Sequence, residues 1–274
     1  DRGGQHAGKV PRMVKALLEK GWAHFAAEPA VARWARSAFA VAEARVGDPA
    51  ERERWLRCGG TWFVGVDTLP NDADGGVADS GPLAGHALEA ARALYGDLPL
   101  HKGQVSVTYP GYPRRSDGES DAAFRYRVNR DAAHVDGLLA VGEDRRRMLK
   151  ERHAYILGLP LSDTGPGASP MVVWEGSHHV MRDMFAENLG PHPEATWAEI
   201  DLTDRYQAAR RRVFETCKRV AITAMPGEAY LVHRFALHGV APWAEGATAS
   251  PKGRMIAYFR PELSSGTRDW LDFP

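Results

Sequence analysis

The spacing of apolar residues changes once along the chain, near Pro99. Before that point, apolar residues recur every three or four positions, as in Val31, Trp34, Ala38 and Val41. This spacing places them on one face of a helix, so it predicts an amphipathic helix that buries this stripe.

A second helix is predicted from Ser80, a favourable N-cap residue, to Gly96, which ends it. A short strand is predicted between the two helices, at residues 61–67. Residues 1–100 are therefore expected to be mainly helical and to buttress the remainder of the chain.

After Pro99, apolar residues alternate with polar ones, which is typical of half-buried strands. Two stretches interrupt this pattern, and we interpret them as insertions at residues 142–152 and 178–217, the second of them helical. We predict a single domain (1–274) that is mainly β with flanking helices and has its sandwich or barrel core in residues 101–274. The predicted strands are 104–109, 124–129, 154–161, 170–174, 219–224, 228–233 and 254–259.

Composition excludes several classes of partner. The 35 basic residues balance the 35 acidic ones, so no strong positive field favours nucleic acid. No run of eighteen apolar residues predicts a membrane span. The chain has only two cysteines, Cys58 and Cys217, which favours a reducing, cytoplasmic setting over a disulfide-stabilised one.

The segment RDAAHVDG (residues 130–137) holds the first candidate chemistry. His134 and Asp136 are two positions apart, so in a strand both side chains would point the same way. If the register of the predicted strand 124–129 continues into this segment, both side chains face the interior. An imidazole and a carboxylate together supply two of the three protein ligands of a common kind of metal site.

A third ligand is available near the C-terminal end, in PGEAYLVHRFALHGVAPW (residues 226–243). His233 and His238 are five positions apart, so a continuous strand would point them in opposite directions and at most one would join the site. Two histidines and one carboxylate on one face of a metal, with open positions opposite, are typical of non-haem iron(II) oxygenases.

The order of these motifs, with SPMVVWEGSHH (residues 169–179) between them and GRMIAYF (residues 253–259) after them, resembles the iron(II)/2-oxoglutarate dioxygenases, specifically the phytanoyl-CoA dioxygenase-like group. The resemblance covers about residues 104–261. It selects His238 over His233 as the distal ligand, because the family's ligand lies in a similar LHG segment. It assigns Arg254 to the far carboxylate of 2-oxoglutarate, and it implies a double-stranded β-helix, or jelly roll.

The resemblance also implies an activity. Iron(II) held by His134, Asp136 and His238 would use 2-oxoglutarate and O2, and oxidative decarboxylation would be coupled to hydroxylation, or a related C–H oxidation, of a small organic substrate. An intact Asp136 favours oxygen insertion over halogenation, since halogenating relatives have a small residue there. The mixture of arginines and aromatics in the long loops suggests an anionic or amphipathic substrate.

Two features leave alternatives open. Family members often carry a hydroxyl residue two positions after the arginine, where this chain has Ile256. Another group must then share the carboxylate, and Thr108, Tyr109 and Tyr258 are candidates. A cupin-type metalloenzyme that does not use 2-oxoglutarate is one rival, although the chain lacks the cupin H-x-H motif. A non-catalytic binding protein on the same barrel is the other.

Overall fold

The structure is a computed structural model that describes residues 9–263 and 266–274. Its helices are α1 (Lys9–Lys20), α2 (Pro29–Gly47), α3 (Pro49–Trp55), α4 (His86–Tyr95), α5 (Asp121–Asn129), α6 (Ser177–Leu189), α7 (Thr203–Thr216) and α8 (Thr267–Asp272), with a 3-10 helix at Glu194–Glu199. None of the helices in these residues is long and apolar enough to cross a bilayer.

The strands form three antiparallel sheets. They are β1 (Trp22–Phe25), β2 (Leu56–Arg57), β3 (Trp62–Phe63), β4 (Gln104–Thr108), β5 (Leu138–Val141), β6 (Arg146–Leu149), β7 (Tyr155–Pro160), β8 (Met171–Glu175), β9 (Lys218–Ile222), β10 (Ala229–His233), β11 (His238–Val240) and β12 (Arg254–Phe259). The large sheet has the order β1-β10-β7-β12-β4-β3-β2, the small sheet β11-β8-β9, and β5 pairs with β6.

Both faces of the central strands β7, β10 and β12 are buried, and alternate residues of one strand contribute to different cores. On β12, Met255, Ala257 and Phe259 pack against the N-terminal helices, in a cluster that includes Trp34 of α2. Ile256 and Tyr258 point the other way and pack against the small sheet. The inward-facing side chains of β4, β7, β10 and β12 therefore border the space between the two sheets.

The helices α6 and α7 cover the outer face of the small sheet. Trp174 of β8 contacts Phe214 of α7 with a ring-centroid distance of 5.3 Å, and Phe185 of α6 is fully buried in the same cluster. The molecule is thus layered as helices, large sheet, small sheet and helices. Helices hold more residues than strands, so the prediction of a β core with flanking helices is confirmed in a coarser form, as a mixed helix-and-sheet protein with large antiparallel sheets.

Most of the predicted strands after Pro99 are confirmed within one or two residues at each end, and β12 matches its predicted bounds. Residues 178–217, predicted as a helical insertion, contain α6 and α7. Residues 142–152, predicted as the other insertion, contain the turn and second strand of the β5–β6 hairpin. In the N-terminal part, α2 is confirmed, α4 ends at Gly96 as predicted but begins at His86, and the strand at 61–67 is reduced to Trp62–Phe63.

The predicted strand 124–129 is wrong, because these residues form helix α5. Ser120 caps this helix by accepting a hydrogen bond from the Ala123 amide, and Arg127 pairs with Glu119 at 3.0 Å. The cap satisfies an amide that a strand would pair with a neighbour, which favours the helix over the alternating pattern. The register argument that extended this strand to His134 is therefore wrong as well.

Candidate metal centre

The RDAAHVDG segment is a loop between α5 and β5, and its shape depends on Asp131. The Asp131 carboxylate is buried and accepts two hydrogen bonds from Arg219, at 2.7 and 2.8 Å. Its carbonyl accepts a hydrogen bond from the Val240 amide at 2.9 Å. Both Asp131 and Ala132 have positive φ, and this turn directs the following residues toward β11.

Two backbone hydrogen bonds join the two histidine segments. The His134 amide donates to the His238 carbonyl at 2.8 Å, and the His238 amide donates back at 3.0 Å. Gly239 follows His238 and lies so close to the Asp131 carbonyl that a Cβ there would collide with it. The loop thus brings His134 beside His238, and the two ring centroids are 4.6 Å apart.

Asp136 completes the group. Its Oδ1 lies 3.3 Å from Nε2 of His134 and 3.6 Å from Nε2 of His238. In the described part of the chain, these three residues are the only group of three or more potential ligands whose donor atoms all lie within 4.8 Å of one another. His238 and Asp136 are almost completely buried, whereas the His134 side chain is half exposed at the mouth of the site.

In each of the two histidines, the ring nitrogen that does not face Asp136 lies against a backbone carbonyl. Nδ1 of His134 lies 3.0 Å from the Ala132 carbonyl, and Nδ1 of His238 lies 2.9 Å from the Ala236 carbonyl. A carbonyl only accepts, so each Nδ1 carries a proton and each Nε2 faces the carboxylate. When the His134 ring is protonated, its Nε2 donates a hydrogen bond to Asp136. In a neutral ring the lone pair of Nε2 faces the carboxylate, and this contact is repulsive unless a cation lies between them.

The pKa values of His134 and Asp136 depend on this arrangement. Burial would lower the pKa of His134, but the hydrogen bond and negative charge of Asp136 outweigh it and the pKa is raised. Because the His134 side chain is half exposed, solvent screens part of this effect. Burial would raise the pKa of Asp136, but Arg260 and the two histidines hold it well below its usual value. Asp136 is therefore ionised and able to bind a cation.

A cavity of about 250 Å³ opens beside these three residues. Its wall is mostly apolar, and its polar groups come from the triad and from the inward ends of β4 and β12. The residues that line it include Trp62, Val66, Gln104, Met171, Tyr258 and Arg260.

Arg254 lies at the opposite end of β12 and lines a second cavity of about 370 Å³. The side chain is buried, and Nη1 has no hydrogen-bond partner. Thr108, directly opposite Arg254 across the β4–β12 ladder, is fully buried and its hydroxyl also has no partner. Two unsatisfied polar groups therefore lie side by side in the interior, which is rare without a ligand or water.

Two tyrosines lie beside Arg254. The hydroxyls of Tyr230 and Tyr258 are 2.9 Å apart; Tyr230 lines the Arg254 cavity and Tyr258 lines the triad cavity. Gly158 lies between the two residues in the sheet and allows this contact, because a Cβ there would collide with the Tyr230 ring. Burial raises the pKa of Tyr230 well above its usual value, so its hydroxyl keeps its proton.

His233 does not belong to the triad. Its ring is fully buried, Nδ1 accepts a hydrogen bond from the Phe235 amide at 3.0 Å, and Nε2 lies 3.4 Å from Arg182. The continuous strand assumed for these two histidines is absent, because His233 ends β10 of the large sheet and His238 begins β11 of the small sheet. Of the groups proposed to assist Arg254, Thr108 and Tyr258 are adjacent to it, and Tyr109 packs against the helix-facing core.

Sequence reasoning missed Arg260, Gln104 and Tyr230. Arg260 is six positions after Arg254, and Tyr230 and Gln104 align with Tyr258 across the sheet. Counting alternate positions from Arg254 predicts that Arg260 also faces inward. No pattern in the sequence indicated the cross-strand alignments, because they depend on strand order.

Comparison with known proteins gives the fold. No family model and no curated protein matches the chain. Among solved structures, the carbocyclase SnoK, described as non-heme and alpha ketoglutarate dependent, aligns over 96% of this chain and 90% of its own, with 16% identity and a TM-score of 0.50. The epimerase SnoN, solved with Fe3+, alpha ketoglutarate and nogalamycin RO, aligns over 93% of this chain and 84% of its own, with 16% identity and a TM-score of 0.53.

The chain shares their fold. At this level of identity the likeness concerns architecture and does not transfer residue roles to this chain.

Proposed function

We propose that this protein is a non-haem iron(II) oxygenase that couples oxidative decarboxylation of 2-oxoglutarate to hydroxylation, or a related C–H oxidation, of a small organic substrate. The observation that carries the proposal is the convergence of His134, Asp136 and His238 with both Nε2 atoms facing one carboxylate oxygen. The fold shared with SnoK and SnoN agrees with it.

The donor set fits iron(II). Two imidazole nitrogens and one carboxylate oxygen, with the other ring nitrogens held by carbonyls, form the two-histidine, one-carboxylate arrangement that leaves positions for other ligands. A structural zinc site would be closed by a fourth protein ligand, and the described residues offer none here.

The Arg254 end fits the far carboxylate of 2-oxoglutarate. Arg254 provides a buried guanidinium with an unused donor, and Thr108 provides a buried hydroxyl without a partner. A carboxylate accepts hydrogen bonds from both kinds of group, and a charged bond from a guanidinium is strong in such an interior. Thr108 can therefore supply the hydroxyl that Ile256 lacks.

Bound iron(II), 2-oxoglutarate and O2 would supply the oxidant that removes hydrogen from an unactivated C–H bond. The residues of the chain have other tasks. His134, His238 and Asp136 would hold the metal, and the carbonyls of Ala132 and Ala236 orient the two imidazole rings. Arg260 keeps Asp136 ionised. The apolar wall of the triad cavity limits water around the reacting groups.

We propose in addition that the two sheets form a double-stranded β-helix and that the chain belongs near the phytanoyl-CoA dioxygenase-like group. A shared core supports a single domain, because Trp34 from the N-terminal part packs with Leu157 and Phe259 of the large sheet. A cytoplasmic location stays a prediction, and it agrees with the free thiols of Cys58 and Cys217.

The unsatisfied groups at Arg254 also bear on the cupin-type rival. An enzyme that needs no 2-oxoglutarate has no use for a buried guanidinium Nη1 and a buried hydroxyl that lack partners, and each unsatisfied buried group costs roughly 1–3 kcal/mol.

The test is succinate formation from 2-oxoglutarate by the full chain with iron(II) and O2, with and without candidate substrates. We expect succinate, and we expect His238→Ala to abolish it while His192→Ala, at an exposed histidine, leaves it unchanged. Metal-dependent turnover without 2-oxoglutarate would favour the cupin-type alternative. Absence of bound iron and of stabilisation by iron with 2-oxoglutarate would favour a non-catalytic barrel.

Arg254 is tested by its effect on 2-oxoglutarate. Arg254→Gln should raise the apparent KM for 2-oxoglutarate by at least about tenfold, since a charged hydrogen bond is lost. Arg92→Gln, at an exposed arginine that pairs with Asp97, is the matched control. An unchanged KM in Arg254→Gln would remove this residue from the proposal.

A further inference from the structure

Arg260 lies just beyond β12, where it faces the triad. Its Nη1 is 3.3 Å from Oδ2 of Asp136, on the side of the carboxylate that does not face the histidines. Its Nη2 donates to the side-chain oxygen of Gln104 at 3.0 Å. The guanidinium is therefore oriented by two residues that line the triad cavity, and it lines that cavity itself.

The backbone of Arg260 is also fixed. Its amide donates to Nε2 of His101 at 2.8 Å, and its carbonyl lies 2.9 Å from Nδ1 of His153, which donates to it. Nε2 of His153 is in turn 2.8 Å from Glu151. A side chain anchored at both ends loses little further freedom when it binds a ligand, so this arginine suits recognition.

The guanidinium has donors to spare. Of its five N–H groups, one is directed to Asp136 and one to Gln104. Nε is buried and has no hydrogen-bond partner. Such a group is costly to leave unsatisfied, and an acceptor that enters the cavity would relieve the cost.

Electrostatics favour an anion as that acceptor. Arg260 keeps Asp136 ionised, but its own positive charge repels a bound metal, and an anion beside it would offset that repulsion. Asp136 is the only acidic residue among the described residues that line this cavity. If one carboxylate of 2-oxoglutarate neutralises Arg254, the other would join Asp136 beside the metal and supply the second of two negative charges. The divalent metal and Arg260 together carry three positive charges, so one positive charge remains unbalanced.

The rest of the cavity is suited to an apolar body. Trp62, Val64 and Val66 line one side, and Met171 and Val240 contribute from the small sheet. The Trp62 indole nitrogen already donates to Ser106 at 3.0 Å, so the ring contributes only its apolar surface. At about 250 Å³, the cavity is smaller than most sites for drug-sized ligands, which indicates a small substrate.

We propose that the substrate is a small carboxylic acid with an apolar body, and that Arg260 binds its carboxylate. This inference rests on the proposed function and names the substrate class for that site. A singly charged carboxylate balances the surplus positive charge, whereas an amide or alcohol leaves it uncompensated and a dianionic phosphate exceeds it.

The test is a binding measurement that does not depend on turnover. The protein is loaded with Zn(II) and N-oxalylglycine, an unreactive analogue of 2-oxoglutarate, and titrated calorimetrically with phenylacetate, phenylacetamide and phenyl phosphate. We expect phenylacetate to bind about tenfold or more tightly than phenylacetamide, as for a charged hydrogen bond, and more tightly than phenyl phosphate. In Arg260→Gln the preference for acid over amide should disappear, and Arg260→Lys should retain part of it.

Arg92→Gln serves as the matched control and should keep the full preference. Equal binding of acid and amide to the wild type, no binding of either at millimolar concentration, or an undiminished preference in Arg260→Gln would overturn the proposal. Tighter binding of phenyl phosphate would overturn the assignment of a carboxylate. These outcomes are distinguishable from failure of the proposed function, because iron-dependent succinate formation is measured separately.

Discussion

Two pairs of histidines in this protein have nearly the same spacing. The rings of His134 and His238 have centroids 4.6 Å apart, and those of His178 and His233 are 4.9 Å apart. The first pair faces Asp136, whereas the second has Arg182 within 3.4 Å of His233.

The neighbouring charges make the two pairs electrostatic opposites. Asp136 raises the pKa of His134 against the effect of burial. Burial lowers the pKa of His233 well below its usual value, and the charge of Arg234 adds to it. Burial likewise lowers the pKa of His178 to about 4. The comparison teaches that proximity of two imidazoles does not make a cation site, and that the neighbouring carboxylate decides.

The largest effect is expected from removing that carboxylate. Asp136→Ala should weaken the affinity for Co(II), used as an air-stable substitute for iron(II), by more than about 100-fold, because loss of a ligand exceeds the effect of losing an outer hydrogen bond. Calorimetric titration measures it.

His178→Asn, in the other pair, should leave the affinity for Co(II) unchanged. If Asp136→Ala bound the metal as well as the wild type, or if His178→Asn lost it, the distinction between the two pairs would be wrong.

An intermediate effect is expected in the pH dependence of stability. The folded state holds His178 neutral with a pKa of about 4, below the ordinary value of about 6.5. His178 therefore does not lower the free energy of unfolding above about pH 6.5. As the pH falls from there toward about 4, this group lowers the free energy of unfolding by at most about 3 kcal/mol.

Urea unfolding of the metal-free protein across this range measures the loss. His178→Asn should show a shallower decline than the wild type, and the triad contributes equally to both proteins. Parallel pH curves for the two proteins would contradict the assignment.

The smallest effect concerns Arg182. Arg182→Gln removes one positive charge near His233, so the pKa of His233 should rise, but by less than about one unit, since burial is the larger cause of its depression. An NMR titration of the His233 ring protons in wild type and variant tests this. A return of this pKa to its ordinary value would show that charge, not burial, governs the second pair.

The sequence allowed the triad and Arg254 to be selected through the resemblance in motif order, which does not require the strand order to be known. It predicted β12 well, since both faces of that strand are buried and its apolar run is continuous. It failed at 124–129, where the cap at Ser120 overrode an alternating pattern. It also failed to show that Thr108 lies opposite Arg254, because cross-strand partners depend on register.

The two main-chain hydrogen bonds between His134 and His238 have a consequence for how a metal is acquired and lost. Two of the three proposed ligands are joined to each other by backbone hydrogen bonds. We therefore expect the metal-binding site to be formed before an ion binds, and the chain to fold without the ion. Stripping the ion with a chelator should then leave the secondary structure and the unfolding transition largely intact, in contrast to small domains that collapse without their zinc.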